Sequence, residues 1–180
     1  MIEIPSPQQL AAEGQAAYNR GDYLAAANAF EAASASYKSA GDHLSSAEMA
    51  NNRSVALLQA GEAQLSLDAV LGTDEIFAGA GDIRRQAMAL GNQAAALEGL
   101  KRLDEAIDAY ERCAEILDQI EDKETRVSVM QALSALQLRR GRQLEALATM
   151  QAGLNGVKHP TLKQRMLRKL LQLPFKFMNH

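Results

Sequence analysis

The plainest hydrophobic stripe in the chain runs through Leu103, Ala106, Ile107, Tyr110, Cys113, Ala114, Leu117 and Ile120, in steps of three and four. Asp104, Glu105, Asp108, Glu111 and Arg112 fall largely on the other side, so the segment reads as an amphipathic helix. Related positions return at a fixed interval along the chain. Small side chains recur at Ala26, Ser66, Ala106 and Ala146, where two helices would approach closely. The next column is Ala27, Leu67, Ile107 and Leu147, followed by Phe30, Val70, Tyr110 and Met150. Tyr37, Phe77, Leu117 and Val157 complete the face. A unit this short cannot bury a core alone, so agreement down the columns means that neighbouring units stack as a repeat architecture. The periods are 1–40, 41–80, 81–120 and 121–160.

Punctuation divides each period in two. Gly21, Gly61, Lys101 and Gly141 stand where the first helix ends, a place that suits the left-handed conformation of glycine. Asp42, Asp82 and Asp122 stand at the start of the following first helices, able to accept from the free N–H groups of the first turn. Gly41 and Gly81 precede two of them and can end the preceding helix. Each period is therefore helix, short turn, helix. In period two the stretch LDAVLGTDEIF contains Gly72, which costs about 1 kcal/mol against Ala in a helix interior. Leu67, Val70, Leu71 and Phe77 nevertheless keep to the stripe, so one helix is expected, closely packed or bent at Gly72. Beyond Pro160, the run TLKQRMLRKLLQL predicts a ninth helix over 161–173, stopped by Pro174 and capping the stack with Leu162, Met166, Leu167 and Leu170 inward.

The small–x–x–x–aromatic–x–x–small pattern of Ala106, Tyr110 and Cys113, and of Ala26, Phe30 and Ala33, resembles the tetratricopeptide repeat. That family's usual period is shorter, about 34 residues. The longer period here is similar to the longer-helix repeats of G-protein-signalling modulators of the Leu-Gly-Asn-rich type, which open on Gly-Asp and carry Gly-Asn within the first helix. Gly81, Asp82, Gly91 and Asn92 match that pattern, and Gly41, Asp42 and Asn52 match it in part. Val55 and Ala95 stand where a second Asn is common, and Ala12 and Ala132 replace the first Asn in the outer periods. The resemblance covers residues 7–157. It implies an all-α fold in one domain over 1–180: a right-handed α-solenoid of four repeats with a C-terminal capping helix.

In the resembled architecture the first helices line a concave groove. Carried over by position, the groove holds Glu48, Asn51, Asn52, Val55 and Gln59, then Met88, Gly91, Asn92, Ala95 and Glu98. Gln15, Tyr18 and Asn19 flank it on one side, Gln131, Leu138 and Arg139 on the other. A carboxamide both donates and accepts, so Asn52 and Asn92 suit the main chain of an extended peptide. The alternative is that these asparagines bond neighbouring helices and brace the stack. Arg53 and Arg139 are candidates for a ligand carboxylate, or simply solvated. Cys113 shares its column with Ala33 and Gly153 and reads as a packed core residue.

Composition narrows the function. Residues 158–180 carry six bases and no acid, whereas residues 1–157 hold 13 bases and 22 acids, a net −9. Six bases without interleaved aromatics do not make a nucleic-acid signature, which leaves a cap or an acidic surface as the partner of the segment 158–176. The lone Cys113, an N-terminus without a basic-then-apolar leader, and the lack of a long apolar run point to a cytoplasmic chain. His43, His159 and His180 have no metal-ligand spacing, and GAGD at 79–82 follows no strand, so neither a cofactor nor an enzyme is implied. Two readings remain: an adaptor that binds a partner peptide in the groove, or a self-associating assembly module. If Ala106 lies at a helix–helix contact, Ala106→Leu should cost about 1–3 kcal/mol in urea denaturation. An unchanged midpoint would place Ala106 elsewhere.

Overall fold

The computed structural model of the chain describes residues 5–155. The expected capping helix at 161–173 and the basic segment 158–176 lie outside the described residues. The class is the expected one, all-α with tetratricopeptide-like helix–turn–helix repeats and no strand among the described residues. Period one comprises α1 (Pro7–Asn19) and α2 (Tyr23–Ser39). Period two opens with α3 (His43–Gln59) and continues with α4 (Ala63–Val70) and α5 (Thr73–Gly79). Period three is α6 (Ile83–Gly99) and α7 (Leu103–Gln119), and period four is α8 (Lys123–Arg139) and α9 (Gln143–Asn155).

The helix starts follow their cap residues. Asp42, Asp82 and Asp122 accept from the backbone N–H groups of Ser45, Arg85 and Thr125 at 3.0, 3.0 and 3.1 Å. At α1, Ser6 and Gln9 form a reciprocal capping box ahead of Pro7. The helix ends are more uniform than the sequence suggests. A left-handed residue stands at 21, 41, 61, 81, 101, 121 and 141, at every twentieth position. Five of these are glycines; Lys101 and Glu121 adopt the same conformation at φ 60° and 55°. One residue further on, the backbone N–H returns to the carbonyl five positions back, as in Asp22 to Ala17, Glu62 to Leu57 and Arg102 to Leu97. Each turn thereby satisfies a carbonyl that the helix end leaves without a partner.

One expectation needs correction. The second helix of period two is not continuous: it breaks after Val70, with Leu71 extended at ψ 129° and Gly72 left-handed at φ 79°. The sequence Gly-Thr-Asp at 72–74 places a helix stop directly before residues suited to a helix start, and that local chemistry outweighs the continuing stripe.

The helices fall into two compact units, Met1–Ala109 and Tyr110–His180, with α7 beginning in the first and ending in the second. In the first unit Ala17, Ala26, Ala27, Phe30, Ala33, Met49, Ala56 and Leu57 form one apolar cluster. Its helices approach over small residues. A Cβ on Gly14 would come within 2.7 Å of the Phe30 ring. Ser66, in the small column, donates to the Ser54 carbonyl at 2.8 Å and lies 2.9 Å from the Ser54 hydroxyl. In the second unit α8 packs on α9, with Gly153 against Met130, and Cys113 is buried as its column implies. All four members of the small column, Ala26, Ser66, Ala106 and Ala146, are at most 1% exposed.

Gly61 lies at φ 85° with nothing within 4 Å of an added Cβ, so a substitution there meets backbone strain alone. Gly61→Ala should therefore lower the unfolding free energy by about 1 kcal/mol. Lys101→Gly, at the matching turn, should raise it by about 0.5–1 kcal/mol. Urea titrations of both variants check this, and shifts of the same sign would contradict it.

Candidate functional site

The groove residues of periods two and three come from two helices that pack together in the first unit, α3 and α6. On α3, Glu48 and Gln59 are exposed, Asn52 and Val55 are half-buried, and Asn51 is only 8% exposed. On α6, Met88 is 56% exposed, while Gly91, Asn92, Ala95 and Glu98 are half-buried. Two polar links join the helices. Arg85 Nη1 donates to Glu48 Oε2 at 3.0 Å, and Asn92 Nδ2 donates to Asn51 Oδ1 at 3.1 Å.

Asn51 lies beneath the face. Its Nδ2 donates to the Ala47 carbonyl at 3.1 Å and to Thr73 Oγ1 at 2.9 Å. Thr73 in turn donates to the Val70 carbonyl at 2.8 Å, across the break between α4 and α5. A buried chain of hydrogen bonds therefore runs from the half-buried Asn92 to the helix break. Asn51 braces, with every group of its amide used; the side chain of Asn52 makes no hydrogen bond to a described residue. Asn52 and Asn92 sit half-buried on this face among Val55, Met88, Gly91 and Ala95, and the exposed Gln59 adds a third carboxamide.

The flanking candidates separate. On α1, Gln15 Nε2 donates to Asn19 Oδ1 at 3.0 Å, and Tyr18 meets Tyr23 edge-on at 5.4 Å. Gln131, Leu138 and Arg139 lie on α8 in the second unit, each exposed. Arg53 already holds a carboxylate, that of Glu31, at 2.9 Å. Neither the Thr73 contact nor the Arg85–Glu48 link was among the sequence expectations. Thr73 was legible only through the Gly-Thr-Asp signal; the ion pair spans 37 residues and had no signal. Arg85 also lies over the Phe77 ring at 5.4 Å and donates through Nε to Asp82 at 2.7 Å. Among the described residues no cluster of His, Cys, Asp and Glu is placed to hold a metal, and no helix is long and apolar enough to cross a membrane.

Comparison with known proteins agrees with this architecture. The family model of the tetratricopeptide repeat matches residues 85–158. No curated protein matches the sequence. Among solved structures, the chain resembles MamA (residues 41 to the end) from Desulfovibrio magneticus RS-1, with a TM-score of 0.64 and 20% identity over 83% of this chain and 75% of that one. It also resembles the nearly identical TPR-like repeats of a Podosopora anserina protein named as a putative kinesin light chain, with a TM-score of 0.76 and 14% identity over 94% of this chain and 88% of that one. At these identities the likeness concerns the fold. A tetratricopeptide-like helical repeat is a fold typical of protein-interaction scaffolds.

The cap of α6 carries a pH dependence. The backbone N–H of Arg85, then its guanidinium, hold the Asp82 carboxylate below its ordinary pKa of 3.8. A lowered folded pKa means that this cap contributes fully above the ordinary value and is lost as pH falls through the folded one. Asp82→Asn retains a capping oxygen that does not titrate. The variant should therefore lose stability less steeply than wild type below about pH 4 in denaturation at stepped pH. Superimposable acid limbs would show that Asp82 is not coupled to folding.

Proposed function

We propose that this chain is a non-catalytic interaction scaffold that takes an extended peptide segment of a partner protein across the α3–α6 face of its first unit. The observation that carries the reading is the pairing on that face of two carboxamides, Asn52 and Asn92, with the small residues Gly91 and Ala95 and the exposed Met88. Small residues admit a ligand backbone, carboxamides pair with it whatever its side chains, and Met88 and Val55 supply apolar contact. Residues 1–109 carry 15 acids and 7 bases, a net −8, so the partner segment is basic. Glu98 and Gln59 extend the same face. Gln131 and Arg139, on α8, belong to the second unit and offer a polar surface of their own. The long repeat period and the Gly91–Asn92 pair support a likeness to the G-protein-signalling modulators in particular.

A second reading rests on the same charge pattern. Residues 110–180 hold 7 acids and 12 bases, a net +5, opposite in sign to the first unit. The first unit of one copy would then attract the second unit of another, weakly and in a salt-dependent manner.

The test is affinity for a nonapeptide selected from a Lys/Arg-biased random library, measured by calorimetry on wild type and on Asn52→Ala/Asn92→Ala. Two lost hydrogen bonds should weaken binding by about 30- to 100-fold, with circular dichroism confirming that the variant is folded. Unchanged affinity would remove the α3–α6 face from the site. Sedimentation equilibrium at low and high salt addresses the second reading: a monomer at high concentration in low salt excludes it.

A further inference from the structure

The polarity of the Asn92 carboxamide is set from the far end of the hydrogen-bond chain. The Val70 carbonyl can only accept, so the single proton of the Thr73 hydroxyl, 2.8 Å away, is committed to it. Thr73 Oγ1 must then accept from Asn51, which requires the NH2 side of Asn51 at 2.9 Å. The second proton of that NH2 goes to the Ala47 carbonyl at 3.1 Å. Rotating the Asn51 amide by half a turn would set its oxygen against two acceptors inside the protein. The Oδ1 of Asn51 accordingly faces Asn92, and the Asn92 atom 3.1 Å from it must be the nitrogen. Asn92 Oδ1 is left pointing away, with no hydrogen bond to any described residue, on the half-buried side of α6.

We infer that Asn51 and Thr73 are positioning residues that fix Asn92 with its carbonyl oxygen presented, so that the α3–α6 face recognises an N–H of the partner main chain at this point rather than a carbonyl. This rests on the reading of the face as a peptide site and adds the sign of the group it reads. Asn52 has no such anchoring and can turn to suit either group. The partner chemistry that fits is an extended basic segment whose main-chain N–H meets Asn92 Oδ1, in keeping with the net −8 of the first unit.

Two measurements test this and separate it from the reading beneath it. In the free, fully labelled chain, a scalar coupling across the hydrogen bond should connect Asn92 Nδ2 to Asn51 Cγ. A coupling in the opposite sense, from Asn51 Nδ2 to Asn92 Cγ, overturns the polarity whether or not any peptide binds. In the second, each main-chain N–H of the selected nonapeptide is methylated in turn. Wild type should lose about tenfold at one position, the loss expected for one well-made hydrogen bond. Asn51→Leu should reduce that penalty to under about threefold, Thr73→Val should fall between, and Thr73→Ser should match wild type. Thr73→Val serves if Asn51→Leu does not fold. A full methylation penalty in Asn51→Leu or in Thr73→Val overturns the positioning role. A correct coupling together with a neutral Asn92→Ala would instead sink the peptide-site reading and leave the polarity standing.

Discussion

The structure depends on one backbone hydrogen bond made seven times. At each turn the N–H of residue 22, 42, 62, 82, 102, 122 or 142 donates to the carbonyl five positions back, at 2.8–3.0 Å. The intervening residue is left-handed in every case. This closure ends one helix, fixes where the next begins, and recurs every twenty residues. It is strong enough to hold Lys101 and Glu121 at positive φ, where a side chain costs about 1–2 kcal/mol. The acceptors are core positions: Ala17, Leu57, Phe77, Leu97, Leu117 and Gln137 are all buried, and Tyr37 is half-buried. Gln137, only 3% exposed, shows that the constraint belongs to the backbone, because its carbonyl receives the turn bond of Arg142 while its Oε1 has no partner.

The break in period two is accommodated inside this frame. α4, the two intervening residues and α5 together span 63–79, the same seventeen positions that α2 and α7 fill without interruption. The next turn therefore falls where it must. Locally, the break costs hydrogen bonds, since the last carbonyls of α4 lose their helical donors. Thr73 satisfies the Val70 carbonyl, Asn51 satisfies Thr73, and Asn92 satisfies Asn51. A defect on one side of the unit is thus tied to the α3–α6 face by a single directional chain.

Much of this was legible in the sequence, and the division between what was and was not follows from physics. The repeat columns report burial and cap chemistry, both local properties of a helix: the burial of Ala26, Ser66 and Ala106, the Asp42, Asp82 and Asp122 caps, and the left-handed Gly21 and Gly61 all follow. The break did not, because an apolar stripe continues through it unchanged and only Gly-Thr-Asp marks it. The distinction between Asn51 and its neighbour Asn52 did not either. Which of two adjacent amides turns inward depends on Thr73 and Asn92, 22 and 41 residues along the chain from Asn51, and periodicity gives a face without giving the atoms that meet on it.

The repeat also separates the columns that stack from those that vary. The column Ala26, Ser66, Ala106 and Ala146 is buried in all four periods, and it need only be small to stack. The columns at 51 and 52 differ from period to period: Ala11, Asn51, Gly91 and Gln131, then Ala12, Asn52, Asn92 and Ala132. An amide pair beneath and beside a glycine occurs only where periods two and three adjoin. Stacking does not require it, since period one places alanine at both positions and its helices still pack. A buried asparagine is tolerated only if all its groups are bonded, and Asn51 meets that condition through the Ala47 carbonyl, Asn92 and the Thr73 hydroxyl that the α4–α5 break supplies. The break and the amides are therefore one feature: the irregular second helix makes a polar first helix possible, and gives the two central periods a face that the outer ones lack.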